Sequence, residues 1–256
     1  MQGDSALGRA LGLVRELRQR CPWDRAQTPQ TLRPYLVEEA LELDHAIQTD
    51  DPAAMRDELG DMLLHLAFQI VIAEERSQFN AEVVTRTLEE KMWRRHPALF
   101  SEGRVSRDDH AGWELVKRRE PRAGGKRSTL AGLPATMPPL LMAYRLQERA
   151  AGIGFDWPDA AGPMAKVKEE IGELEREQGA GSREQIEEEL GDLLFAVVNL
   201  SRKLAVDPRA ALERANAKFQ ERFEAVEKLA EERGLEMGRA TLEELDTLWD
   251  EVKTRR

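Results

Sequence analysis

Apolar residues recur along this chain at helical spacing. Leu7, Leu11, Val14 and Leu17 lie three or four positions apart, as do Leu59, Leu63, Leu66 and Ile70, and Leu190, Leu194, Val197 and Leu204 follow the same face further on. This is the period of one side of an α-helix. The intervening positions are rich in Ala, Glu, Lys, Arg and Gln, which favour helix, and alternating β-branched runs bounded by turn residues are absent. The pattern predicts an all-α protein. Interruptions fall at Cys21-Pro22, Gln27 to Pro29, Asp50 to Pro52 and His96-Pro97. The longest is "EPRAGGKRSTLAGLPATMPP", Glu120 to Pro139, whose Gly, Pro and basic content predicts a linker with little helix. One domain is therefore expected at 1–120, a linker at 121–132 and a second domain at 133–256.

The two halves read as copies. Adding 131 to Glu39, Glu42, Glu58 and Asp61 gives Glu170, Glu173, Glu189 and Asp192 without a gap. "PWD" at Pro22 to Asp24 resembles "FDW" at Phe155 to Trp157, and "EKMWRR" at Glu90 to Arg95 is loosely similar to "AKFQER" at Ala217 to Arg222. Duplication of a four- or five-helix unit accounts for these echoes.

The repeated acids form a pattern of their own. Glu39 and Glu42 are i,i+3 on a helix and Glu38 and Glu42 are i,i+4, so they share a face; Glu58 and Asp61 do the same after the short turn "QTDDP". Two antiparallel helices would set these pairs opposite one another, although like charges at that spacing cost roughly 0.2–0.5 kcal/mol per pair. In a chain with 48 Asp plus Glu, a lone pair of this kind is ordinarily a solvated face. Here it occurs twice at one spacing, and Glu189 continues into Leu193, Val197, Leu200 and Leu204, a stripe expected to face the bundle interior. Asp192 neighbours that stripe, above Ala196 and Asn199. Convergent, partly buried carboxylates need a cation. All-oxygen ligation suits Mg²⁺, with Mn²⁺ as a substitute, and the number of carboxylates suggests two or more ions shared with a phosphate ligand.

Composition narrows the picture. With 256 residues, 41% hydrophobic and 34% charged, the chain suits one large or two ordinary soluble domains. The net charge of −10 argues against a nucleic-acid polymer as partner. Cys21 is the single cysteine, the N-terminal residues show no apolar signal-like run, and the longest apolar stretch, "MLLHLAFQIVIA", is too short to span a bilayer. A cytoplasmic protein without a membrane partner is expected.

The motifs "EEALE…ELGD" from Glu38 to Asp61 and "EEIGE…ELGD" from Glu169 to Asp192 resemble the MazG family of nucleoside triphosphate pyrophosphohydrolases, within the all-α nucleotide pyrophosphatase superfamily. The resemblance spans almost the whole chain, through "CPWDRAQTPQTLRPYLVEEALE", "RRHPALF", "LQERAAGIGFDW", "NAKFQERF" and "LDTLWDEVK". It implies Mg²⁺-dependent hydrolysis of NTPs and dNTPs to monophosphate and pyrophosphate, by a tandem-repeat homodimer with four-helix-bundle sites. It further implies metal binding by Glu170, Glu173, Glu189 and Asp192, and by Glu39, Glu42, Glu58 and Asp61 in the N-terminal copy. Lys168, Lys218, Arg222 and Trp249 would line the nucleotide pocket, while Arg94, Arg95 and Lys117 match basic positions of the family in the N-terminal copy. Glu38 or Glu169 could orient or deprotonate the attacking water, and the basic residues would neutralise charge at the α-phosphorus and the leaving pyrophosphate. One departure stands out: Asn199, a polar group able to reach the ligand, is replaced by Phe68 in the N-terminal copy. The C-terminal copy is therefore expected to be the stronger catalyst.

Three rival readings compete with this one. A P-loop fails because Arg127 stands where "AGGKRST" needs Ser or Thr, and Glu120 where it needs Gly. A ferritin-like di-metal oxidase would use Glu42-x-x-His45, but the second copy has Arg176 in place of the histidine. A non-enzymatic acidic scaffold predicts no metal-dependent turnover and no loss of function when Glu170 and Glu189 become Gln.

Overall fold

A computed structural model describes residues 5–96 and 128–254. Every regular element among them is a helix. The chain forms two compact units, Met1–Ser106 and Arg107–Arg256. None of the described helices is long and apolar enough to cross a membrane.

The first unit contains α1 (Ala6–Arg20), α2 (Pro22–Ala26), α3 (Pro29–Gln48), α4 (Pro52–Glu75) and α5 (Ala81–Arg95). Its first three interruptions are helix starts, and His96 caps the C-terminal end of α5. Thr28 and Asp51 each cap a helix whose first residue is proline, an N1 position where the missing N–H costs nothing. The Asp51 carboxylate accepts from the amides of Ala53 and Ala54, so the chain reverses over three residues and α4 returns against α3. Leu11 and Val14 of α1, Leu32 of α3, and Phe68, Val71 and Ile72 of α4 form the core. Each such side chain, once buried, contributes roughly 1.5–3 kcal/mol. Arg18, buried on α1, fastens this core to its loop: Nη1 donates to the carbonyls of Asp24 and Gln27, while Nε and Nη2 donate to Glu75 at the end of α4.

The second unit contains α6 (Pro139–Ala151), α7 (Ala161–Ala180), α8 (Arg183–Lys203), α9 (Pro208–Glu232) and α10 (Leu242–Thr254), with turns over residues 128–138. Ser182 and Gln185 form a reciprocal capping box that starts α8 directly after α7, which makes these two an antiparallel pair. Asp207-Pro208 opens α9 as Asp51-Pro52 opens α4. Arg149, at the position 131 beyond Arg18, is also buried and also donates to loop carbonyls, those of Leu130 and Ala131. Helices α9 and α10 close around their own cluster of Val226, Leu229, Ala230 and Leu248.

One expectation is corrected. The stripe running from Glu189 was expected to face the interior, yet Val197 and Leu204 are 41% and 55% exposed, while Ala196, Val198 and Asn199 are buried. Helix α8 packs on α6 and α7, and among the described residues Leu193 and Leu200 of the stripe are half-buried while Val197 and Leu204 stay exposed. In the first unit Leu59, Leu63 and Leu66 are likewise exposed.

Candidate metal and nucleotide site

In the second unit, Glu170 and Glu173 project from α7 and Glu189 from α8, and one carboxylate oxygen from each lies within 4.8 Å of the others. In the first unit, Glu39 of α3 with Glu58 and Asp61 of α4 form a matching trio within the same limit. The i,i+3 spacing and the tight reversals bring these acids together, as the sequence spacing predicted. The fourth acid of each set stands beside its trio: Glu42 lines a groove with Glu38 and Glu58, and Asp192 lines a cavity with Glu170.

Crowding shows in the electrostatics. The Glu189 carboxyl is pushed above its ordinary value by burial first, then by Glu173, Glu170 and Asp192. Glu39 and Glu58 are raised likewise, by burial and then by their acidic neighbours, with His65 partly offsetting the shift at Glu39. His65 Nε2 lies 3.7 Å from Glu39 Oε1. Glu170 is 3% exposed, and its Oε2 is buried with no hydrogen-bond partner among the described residues. A nearly buried carboxylate oxygen facing other carboxylates fits a divalent cation, which would relieve the repulsion and fill the missing contact.

Lys166 is a neighbour of the trio that the sequence reading did not single out. Its Nζ stands 2.6 Å from Glu170 Oε1 and 2.9 Å from Glu169 Oε1, and hydrogen bonds to Glu170 and then Glu169 push its pKa well up. The signal was present, since Lys166 and Glu170 are an i,i+4 pair on a helix.

Beside the carboxylates lies a cavity of about 440 Å³ between α6, α7 and α8, with Phe155 and Trp157 among its lining residues. Gly154 precedes these aromatics with φ +90°, a conformation that favours glycine. Arg202 and Lys203 then tie the loop to α8 by donating to Asp156. Burial raises the Asp156 carboxyl, but the hydrogen bonds from Arg202 and Lys203 outweigh it and leave the pKa lowered. Asn199, singled out in the sequence, lines this cavity and is 7% exposed.

The other expected residues are more dispersed. Lys168 and Glu169 are exposed on α7, and Glu38 is exposed on α3. Lys218 and Arg222 lie on α9, and Trp249 on α10 packs at 5.4 Å between ring centroids against Phe219. None of these three lines the cavity. Arg94 and Arg95 occupy the last turn of α5, and Lys117 lies outside the described residues.

A helical fold carrying two acid trios, each able to hold a divalent cation, defines a class of helical proteins with candidate metal centres. Comparison with known proteins makes this specific. The family model described as "MazG nucleotide pyrophosphohydrolase domain" matches twice, over residues 27–100 and 162–227. A nucleoside triphosphate pyrophosphohydrolase/pyrophosphatase MazG of Thermotoga maritima is 45% identical over 91% of this chain and 89% of its own length. A nucleoside triphosphate pyrophosphohydrolase of Escherichia coli K12 is 38% identical over 91% of this chain and 90% of its own. The crystal structure of a mazG-related protein from Thermotoga maritima covers 43% of this chain and 98% of its own, with 27% identity and a TM-score of 0.39. The chain belongs to the MazG nucleotide pyrophosphohydrolase family.

Proposed function

We propose that this protein hydrolyses nucleoside triphosphates, both NTPs and dNTPs, to monophosphate and pyrophosphate with Mg²⁺, and that the C-terminal copy carries most of the turnover. The observation that carries this reading is Glu170. It is nearly buried, with one oxygen on Lys166 and the other without a hydrogen-bond partner among the described residues, inside a trio of carboxylates and at the edge of a cavity large enough for part of a nucleotide. Glu170, Glu173, Glu189 and Asp192 would hold the metal, with Glu39, Glu42, Glu58 and Asp61 as the N-terminal set. A divalent cation held there would supply Lewis-acid polarisation of the phosphate oxygens. Glu169, or Glu38 in the first copy, orients a water and takes its proton as the water oxygen bonds to the α-phosphorus. The bond from the α-phosphorus to the bridging oxygen breaks and pyrophosphate departs. Lys168, Lys218 and Arg222 neutralise the charge that builds on the phosphates, with Arg94, Arg95 and Lys117 in the equivalent roles of the first copy. Trp249 of α10, which packs on Phe219 and does not line the cavity, is given a place in the nucleotide pocket by the family resemblance alone.

The working form we propose is a homodimer. The uncovered stripe of Leu190, Leu194 and Val197 recurs at the matching positions Leu59, Leu63 and Leu66, and an apolar face of this kind, beside each acid trio, suits a second copy. We take the domains as 1–120 and 133–256 joined by 121–132, and the setting as the cytoplasm, which the single cysteine suits. The test is incubation of purified protein with ATP, UTP and dNTPs in Mg²⁺, with separate assays for monophosphate and pyrophosphate. Equimolar release of both, abolished by EDTA and restored by Mg²⁺, is expected. Release of inorganic phosphate instead, or no release, refutes the reading.

A further inference from the structure

The cavity next to the C-terminal carboxylates has mostly apolar walls, yet two amides inside it are oriented by fixed partners. Gln147 of α6 is 6% exposed, and its Nε2 donates to the Phe195 carbonyl at 2.8 Å. A carbonyl can only accept, so the amide group must sit this way round and Oε1 must face the other way. Oε1 is buried and has no hydrogen-bond partner among the described residues, although Gln147 lines the cavity. Asn199 is oriented in the opposite sense. Its Oδ1 accepts from Arg202 Nε and Nη2 at 3.1 and 2.8 Å, and Arg202 is itself held on Asp156. The acceptor end of Asn199 is therefore taken, and what it has left to offer is its N–H₂. Of the two amides that line the cavity beside the apolar Leu146, Pro163 and Phe195, one thus has an acceptor without a partner among the described residues and the other a donor to offer, while the charged lining residues Lys166, Glu170 and Asp192 lie toward the carboxylate trio.

We infer that this cavity receives the nucleobase, and that Gln147 is a specificity-determining residue whose Oε1 accepts an N–H from the pairing edge of the base. This rests on the triphosphate hydrolase reading. A buried acceptor without a partner is destabilising, and its persistence points to a ligand that completes it. A flat, largely apolar ring with a polar edge matches the walls and the amides, and the volume suits a ligand site of this class. Because Glu170 borders both spaces, a base in the cavity leaves its phosphates directed to the carboxylates. Adenine, guanine, cytosine and uracil each carry a donor beside an acceptor on the pairing edge, so one amide of each sense accommodates all four. The selectivity falls instead on bases whose edge donor has been removed by methylation.

The test compares kcat/KM for UTP against N3-methyl-UTP and for ATP against N6,N6-dimethyl-ATP, in Mg²⁺, with wild-type protein and Gln147→Met. Wild type should favour each parent by roughly tenfold or more. Gln147→Met should lose roughly tenfold on the parents, mainly through KM, and its preference should shrink below about threefold, since the methyl groups still fit or clash as before while the hydrogen bond is gone. The wild-type comparison stands by itself if the variant does not fold. Equal use of parent and methylated nucleotides by wild type overturns the proposal, as does a Gln147→Met variant that keeps the full preference. No turnover of either parent by wild type removes the hydrolase reading and this inference with it.

Discussion

The two halves of this chain bring equivalent acids together and then diverge immediately beside them. In the C-terminal half, Glu170 borders a cavity whose floor includes Pro163, Ala196 and Asn199, with Lys166 at its side. The positions 131 earlier are Leu32, His65, Phe68 and Tyr35. Leu32 and Phe68 are buried members of the first unit's core, and His65 is buried with Tyr35 stacked on it at 6.4 Å between ring centroids. Gln147 corresponds to Glu16, which is exposed and paired with Arg20. One copy has kept a space beside its carboxylates, and the other has filled the equivalent positions with large side chains. Filling such a space adds buried apolar area, and hence stability, but removes the place where a base could lie. A duplicated fold can in this way divide its tasks, with the acids retained in both halves and the cavity against α6 kept in one.

Transplanting the filled state tests this most forcefully. Asn199→Phe with Ala196→His should lower kcat/KM for nucleotides by about a hundredfold or more, because the base loses its space, while the thermal midpoint stays within a few degrees of wild type. Steady-state kinetics beside a melting curve checks both, and an active double variant would show that the cavity is idle. The reverse change, Phe68→Asn, should cost roughly 3–5 kcal/mol in urea unfolding, since it leaves a void and an amide in a sealed core, with little change in turnover. A variant with increased turnover would mean that the first copy is a suppressed site and not a structural one.

The smallest effect concerns how each half is fastened. Arg18 draws in the Glu75 carboxylate as well as carbonyls, and Arg149 donates to carbonyls of its loop. The hydrogen bond from Arg18 holds the Glu75 carboxyl below its ordinary value, more than burial raises it. A lowered folded pKa means stability that is fully present above the unfolded value near 4.5 and lost as pH falls through the folded one. Glu75→Gln should therefore unfold somewhat more readily than wild type at pH 7, with the gap closing as pH falls below about 4, as followed by urea midpoints. A gap that stays constant with pH would mean the carboxylate charge contributes nothing there.

Much of this was legible in the sequence. Helical periodicity, the Asp-Pro and Thr-x-Pro starts and the exact offset between the acid sets reflect local rules, and the helices and both trios follow from them. What was not legible depended on who covers whom. The face of α8 that bears Val197 and Leu204 has the same period as a core face, and within one chain only packing decides that Ala196 and Asn199 are the buried ones. Lys166 could have been read from its i,i+4 spacing to Glu170. Gln147 could not, since a glutamine on a helix is ordinarily solvated, and its importance arises from a carbonyl contributed 48 residues away. The replacement of Asn199 by Phe68 was visible, but its meaning needed the neighbouring exchanges at 35, 65, 166 and 196 to be seen in space.

The central claim is that both halves hold acids while one of them catalyses. Its most direct test is turnover of ATP and UTP in Mg²⁺ by two single variants, Glu189→Gln and Glu58→Gln, assayed at equal folded concentration. The account predicts a loss of about a thousandfold or more for Glu189→Gln and less than about threefold for Glu58→Gln. A large loss in Glu58→Gln with Glu189→Gln near wild type would contradict it.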